Sequence, residues 1–460
     1  MERKGFVDVT CCGWSKTTQP RILSLSHPLF IALILRSAHF HTFSLPSICA
    51  SLKSVTDFES ELNRRLASLR EQNLFRELRR VDSPQSPRIK IGGQTFLNFS
   101  SNDYLGLANH PLLKEAAIKA VEEFGVGSGA SRLVCGSLAP HHELEEALAE
   151  FKKTQAALVF STGYAAALGT ICSLVGKEDI VVLDKLIHAS MIDAARLSRA
   201  KIRVFAHNDL GELESILQWA AGTVQSSTVK VQSSPAPRVL ILTEAAFSMD
   251  GDCAPLQEIV ELKEKYGAWL MVDEAHTTGI CGTQGRGLAE SFGLSDRVEV
   301  QMGTLGKALG ASGGYICGSR CLVDYLVNRA RSFIFSTAPI PAAAAAATAA
   351  VRLVQSKEGD ARREALWQRV RSVAPICDRR EQPNGSAILP IRIGDEAAAL
   401  EAAKVLREQN IFVPAIRYPT VARGEARLRV TLTAAHTSED VQKLVTALAR
   451  LPQTQTQPTG

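Results

Sequence analysis

The clearest chemistry lies at Lys307, in the run Gly303-Thr304-Leu305-Gly306-Lys307-Ala308-Leu309-Gly310. The apolar stretch Val298-Glu299-Val300-Gln301-Met302 precedes it. A lysine thus stands at a strand end between glycines, where a ligand can come close. A lone loop lysine is ordinarily a solvated surface group, but this one has company. Leu270-Met271-Val272-Asp273-Glu274-Ala275-His276 is an apolar strand ending in an acid and a histidine. Upstream lie Thr243-Glu244-Ala245-Ala246-Phe247-Ser248-Met249-Asp250-Gly251-Asp252 and the isolated His188. An acid, a histidine and a lysine at successive strand ends suit pyridoxal 5'-phosphate (PLP). That cofactor needs a lysine for its Schiff base and a carboxylate at its pyridinium nitrogen.

Two other readings of these motifs fail on context. Asp273-Glu274-Ala275-His276 spells a helicase DEAH box, but no Gly-x-x-x-x-Gly-Lys-Ser/Thr loop lies upstream. Gly125-Val126-Gly127-Ser128-Gly129-Ala130 looks like a dinucleotide fingerprint, yet it follows a helical stretch, Pro111 to Phe124, where a strand is required. It reads instead as a flexible loop near the active site. Ser161-Thr162-Gly163-Tyr164 follows a strand and opens a helix. Such a start is an ordinary cap and equally a phosphate site, because backbone N–H groups and the helix dipole converge there.

Three motifs together carry a resemblance: Asn98-Phe99-Ser100-Ser101-Asn102-Asp103-Tyr104-Leu105-Gly106-Leu107, Val272-Asp273-Glu274-Ala275-His276 and Thr304-Leu305-Gly306-Lys307. They resemble the α-oxoamine synthase family of PLP enzymes, from about Asp57 to about Leu451. The resemblance implies the fold type I of PLP-dependent transferases, with a large seven-stranded α/β domain and a small C-terminal α+β domain. It implies PLP as cofactor, with Lys307, His188 and Asp273 as catalytic residues. Gly163, Tyr164 and Thr304 would hold the phosphate end, Asp273 the pyridinium nitrogen, and Ser248 and His276 the phenolic oxygen. His188 would stack over the ring and contact substrate. Arg429 would pair with the amino-acid carboxylate, and Arg76 and Thr420 would touch substrate.

Family members pair glycine with acetyl-CoA, glycine with succinyl-CoA, serine with palmitoyl-CoA, or L-alanine with a pimeloyl thioester. Arg331-Ser332-Phe333-Ile334-Phe335-Ser336-Thr337-Ala338 and Thr431-Leu432-Thr433-Ala434-Ala435-His436 favour the last. Ala245-Ala246 stands where the family is expected to carry Gly-Val. A homodimer with shared active sites is also implied, Ser336-Thr337 reaching the neighbour's phosphate. The alternatives are a sister such as glycine C-acetyltransferase or, in another class, a non-catalytic PLP-fold binding subunit. Such subunits usually lack the lysine that is present here.

These residues need a scaffold. Short β-type runs at Ala157–Ser161, Ile180–Asp184, Lys201–Phe205, Val239–Thr243, Trp269–Asp273, Val298–Met302 and Gly314–Cys317 alternate with helical runs. That alternation predicts a mostly parallel sheet covered on both faces, with ligands at the carboxyl ends of its strands. Residues 57–80 read as one helix carrying Arg76 near its end, and Ile89–Phe99 as a hairpin with a Gly-Gly turn. Leu144 to Phe151 completes a helix. Gly222 to Pro237 reads as a surface loop, and Pro341 opens a helix running to about Leu366. Ala387–Ile393, Glu396–Gln409, Ile411–Ile416, Arg427–Thr431 and Ser438–Leu451 read strand, helix, strand, strand, helix. The domains expected are an unstructured extension at 1–55, an arm at 56–104, a large domain at 105–340, a small one at 341–452 and a polar tail at 453–460.

Composition fits this picture. The chain is 45% apolar and 22% charged, ordinary for a globular enzyme. Of the net charge of +5, most falls in residues 1–55, with six Lys/Arg against two Asp/Glu; the remainder is nearly balanced and carries no nucleic-acid footprint. Residues 1–55 are acid-poor and serine-rich, consistent with a targeting peptide or, more plainly, an extension with no fold. Ten cysteines without paired spacing, Cys11-Cys12 aside, imply reduced thiols and a cytoplasmic protein. No stretch reaches the roughly 18 apolar residues of a membrane span.

Overall fold

The computed structural model describes residues 57–228, 236–377 and 385–451. The extension expected at 1–55, the tail at 453–460 and the middle of the loop expected at 222–237 lie outside them.

Seven strands form the central sheet, in the order Ala156–Phe160, Gly314–Gly318, Val300–Thr304, Trp269–Asp273, Val239–Glu244, Ile180–Asp184, Lys201–Phe205. Only Gly314–Gly318 runs antiparallel to its neighbours. The strands Ala156–Phe160, Ile180–Asp184 and Val239–Glu244 are buried throughout, because helices cover both faces. Side chains alternate between those faces. Leu158, Phe160, Val181, Leu183, Leu240, Leu242, Met271, Val300 and Met302 pack with the helices Gly163–Leu174 and Ala189–Ser198. Ile180, Val182, Ile241, Leu270 and Val272 point the other way. Each fully buried aliphatic side chain contributes about 1.5–3 kcal/mol, so the platform is rigid.

Two smaller sheets complete the described chain. Arg88–Ile91 and Gln94–Asn98 form the expected hairpin, its turn made by Gly92 and Gly93 at φ 56° and 80°. Ile388–Gly394, Ala426–Thr431 and Ala415–Ile416 form an antiparallel sheet with Ala426–Thr431 at its centre. The single strand expected over 411–416 is divided. Ile411–Phe412 pairs in parallel with Gln94–Asn98, whereas Ala415–Ile416 joins the C-terminal sheet. Pro414, which has no N–H to give a ladder, stands between them.

Other boundaries differ from expectation for local reasons. The first helix is Phe58–Glu71 and does not reach 80. Asn73 takes φ 56°, and the amides of Leu74 and Phe75 both turn back to the Leu69 carbonyl. Arg76 therefore lies in the extended chain beyond the helix. The strand expected at 298–302 is Val300–Thr304, because Val298 closes the turn Ser295–Arg297 while Gly303 and Thr304 pair with Tyr315 and Gly314. The helix Leu210–Thr228 takes in the start of the expected loop, since no proline interrupts it. The run from Pro341 is two helices, Pro341–Val354 and Lys357–Val373, with Ser356 capping the second.

Candidate active site

Face alternation at the carboxyl edge of the sheet places the chemistry. Leu242, Met271 and Met302 share one face; two residues on, that face carries Glu244, Asp273 and Thr304. Glu244 and Asp273 are register partners on adjacent parallel strands.

Lys307 sits in a loop closed on itself. The Leu305 amide donates to the Gly313 carbonyl at 2.9 Å, and the Gly310 amide to the Lys307 carbonyl at 2.9 Å. Gly310 has φ 61°, and a Cβ there would come within 2.5 Å of the backbone of Leu107 and Ala108. The loop thus rests on the end of the Asn98–Leu107 motif. That segment is itself fixed by Asp103, whose carboxylate accepts from the Leu107 and Ala108 amides at 2.7 and 3.1 Å.

From Lys307 a line of polar groups runs inward. Its Nζ lies 2.7 Å from His276 Nε2, and His276 Nδ1 lies 2.6 Å from the Tyr104 hydroxyl. Tyr104 Oη is 3.3 Å from Asn102 Oδ1, which also accepts from both Nη atoms of Arg429 at 3.2 Å. Arg429 Nε donates to the Ser248 carbonyl at 2.7 Å. An ammonium at Lys307 can only donate. A neutral His276 then carries its proton on Nδ1 and donates to Tyr104, which donates to Asn102.

The electrostatics agree with that chain. Burial lowers Lys307 to about 8, against the pull of Asp273 and Glu244. Burial also pushes His276 well below the usual histidine range, helped by the positive charges of Lys307 and Arg429. Tyr104 is raised by burial to about 12, so it stays a hydroxyl. Burial raises Asp273, opposed by Lys307 and by the Ala275 amide, which donates to its Oδ1 at 2.8 Å. His188 caps the helix Ala189–Ser198, its Nδ1 2.8 Å from Ser190 Oγ. Burial and the charge of Lys307 lower its pKa while Asp273 opposes them, so these three groups share one electrostatic environment.

The helix start read as either a cap or a phosphate site is a capped turn. Thr162 caps the helix Gly163–Leu174, accepting from the Ala165 amide at 3.0 Å. A Cβ on Gly163 would stand 3.8 Å from that of Thr304, so the helix start and Thr304 adjoin. Gly314 permits this, since a Cβ there would lie 2.5 Å from Gly163. Tyr164 is exposed and donates to Asp193 at 2.6 Å. The glycine loop after Phe124 is pinned: Ser128 Oγ donates to the Pro339 carbonyl at 2.5 Å and the Ala338 amide to Ala130 at 3.0 Å. Arg76 Nη2 donates to Thr420 Oγ1 at 3.1 Å, both exposed, so these two distant residues form a pair of their own.

Three participants escape sequence reasoning, although all lie in motifs it singles out: Asn102, Tyr104 and Glu244. The signal for Glu244 is a carboxylate ending an otherwise apolar strand. Arg427 and Arg429 are no solvated strand edge: both are nearly buried in the centre of the C-terminal sheet, Arg427 paired with Asp250.

A family profile described as aminotransferase class I and II matches residues 94–448. The chain belongs to that family. Its relatives include 8-amino-7-oxononanoate synthase of Geotalea daltonii, 48% identical over 84% of this chain and 96% of the relative. The same-named protein of Geobacter sulfurreducens is 47% identical over 84% and 96%. Among solved structures, a serine palmitoyltransferase from S. paucimobilis with a bound PLP–myriocin adduct superposes with TM-score 0.77. It is 30% identical over 85% of this chain and 97% of that one. The 8-amino-7-oxononanoate synthase of Francisella tularensis gives TM-score 0.63 and 28% identity over 77% and 97%.

Proposed function

We propose that this enzyme condenses L-alanine with a pimeloyl thioester, releasing CO2 and a thiol, to give 8-amino-7-oxononanoate for biotin biosynthesis, with PLP as cofactor. The observation that carries the reading is Lys307: a half-buried amine on His276, beside Asp273, in a chain 47–48% identical to synthases of that name.

The residues fit PLP. Lys307 offers an amine with a pKa near 8. Asp273 is 5% exposed and donates nothing, so a ring N–H suits its free oxygen. Gly163 leaves side-chain space open next to Thr304. When bound, the cofactor supplies a ring able to hold the negative charge left on the amino acid's α-carbon.

The rest falls to this chain. Lys307 would hold the cofactor through its amine and, as a free amine, would take the α-proton. Burial leaves an appreciable neutral fraction of it at neutral pH. His276 presents Nε2 to Lys307 as a hydrogen-bond acceptor, and the Tyr104–Asn102 line fixes its ring. Asp273 would meet the ring nitrogen. Ser248 and His276 would bond the phenolic oxygen, His188 would lie against the ring, and Gly163, Tyr164 and Thr304 would hold the phosphate. Both Nη atoms of Arg429 share one Asn102 oxygen, leaving the guanidinium able to meet a carboxylate with two. Arg76 and Thr420 contact substrate from the outer rim.

We also propose a domain division into an arm at 56–104, a large domain at 105–340 and a small one at 341–452. We further propose a cytoplasmic homodimer with shared active sites. No helix among the described residues is long and apolar enough to cross a membrane. Incubating the purified protein with PLP, L-alanine and pimeloyl-CoA, or the carrier-protein thioester, tests the reading. Mass spectrometry should find 8-amino-7-oxononanoate. Turnover only with glycine and acetyl-CoA would reassign the chain to a sister activity.

A further inference from the structure

One carboxyl group at the heart of the site has no part in this mechanism. Glu244 ends the strand Val239–Glu244 and is 2% exposed. Its register partner is Asp273, one strand spacing away, about 4.8 Å, on the same face of the sheet. The backbone amides of His188 and Ser248 lie near its carboxyl group and favour its charged form, against burial and the Asp273 charge. Its Oε1 is buried without a hydrogen-bond partner.

A buried ionised carboxylate with an empty oxygen is costly. Two such carboxylates side by side, sharing Lys307 as their cation, are costlier still. Lys307 also stops serving as a free ammonium once it anchors a cofactor. Burial and the neighbouring Asp273 charge accordingly drive Glu244 well above the usual carboxylate range.

We propose that Glu244 is a positioning residue that stands as the neutral acid beside Asp273: one end of its carboxyl group orients the His188 and Ser248 backbones, and its unpaired oxygen keeps the proton. Asp273 is then the only negative charge of the pair. His188 and Ser248 come from different loops, after Asp184 and after Glu244, and this one group faces both. The inference rests on the PLP reading above.

The test uses holoenzyme titrated from pH 5 to 10, following the visible band of the lysine–cofactor linkage, with cofactor affinity measured by fluorescence. Glu244→Gln keeps an acceptor and a donor and removes only the chance of a charge. Its band midpoint should match the wild type within about 0.3 pH units, its affinity within about twofold. An ionised Glu244 facing the linkage would hold that midpoint up. A midpoint falling by more than about one unit in Glu244→Gln therefore overturns the proposal. Glu244→Ala removes the group facing both amides and should weaken cofactor binding about tenfold. Unchanged affinity in that variant would also overturn it. Should the alanine variant fail to fold, the glutamine titration decides alone. A wild type showing no band would break the PLP reading itself, a result distinct from any of these.

Discussion

Two histidines at the carboxyl edge of one sheet show opposite solutions to the same problem. His276 has Lys307 on one ring nitrogen and Tyr104 on the other, with Arg429 close by, and burial keeps it neutral. His207 stands between Asp184, 3.0 Å from its Nδ1, and Asp252, 2.6 Å from its Nε2. Burial lowers its pKa too, but the two carboxylates win and raise it to about 10. The residue type is the same; the partners decide the charge. A neutral ring can accept a hydrogen bond at one nitrogen and donate one at the other. A ring locked as imidazolium can only brace, and His207 ties the strand end at Asp184 to the loop that carries Ser248 and Asp252.

Breaking the first region should hurt activity. Lys307→Ala should cut turnover by at least about a thousandfold while circular dichroism stays native. His276→Asn should cost about a hundredfold in kcat, read in the same assay. Breaking the second should hurt stability. His207→Gln leaves two aspartates without their cation and should lower unfolding free energy by about 1–2 kcal/mol in urea at pH 6. The sign follows from a raised folded pKa. The benefit of His207 is complete below its ordinary pKa of about 6.5 and fades as pH rises through about 10. The gap between wild type and variant should close over that range; a gap that widens with pH would refute the imidazolium.

The first region also has a pH signature of its own. Lys307 must be neutral to attack an aldehyde. The rate of cofactor loading into apoprotein should climb about tenfold per pH unit below 8 and level off above it. The smallest effect is expected at the rim. Arg76→Ala should raise the KM for substrate about fivefold with little change in kcat, since an exposed hydrogen bond is worth only about 1 kcal/mol.

What the sequence disclosed follows from where each signal resides. The strands Ile180–Asp184 and Trp269–Asp273 were legible to the residue, because a buried apolar run ending in a charged group has local, unambiguous edges. The first helix was overextended because Leu74 and Leu78 continue its spacing. Asn73 turns the chain all the same, and Leu78 ends fully exposed. The strand at 411–416 was misread as one because its halves serve different partners, which only tertiary pairing fixes. In the site, Lys307, Asp273 and His276 were visible through residue type at strand ends. Tyr104, Asn102 and Glu244 were not, since their contacts join segments up to about 330 residues apart in sequence. Arg76 and Thr420 were each named as substrate residues, with no contact expected between them. Their contact depends on extended chain where a helix was expected.

The most direct test of the central claim is the visible spectrum of the holoenzyme as L-alanine, glycine and L-serine are added in turn, followed by pimeloyl-CoA. The cofactor band should shift with L-alanine and change again when the thioester follows. A protein that shows no band even with added PLP, or one that answers glycine alone, would contradict it.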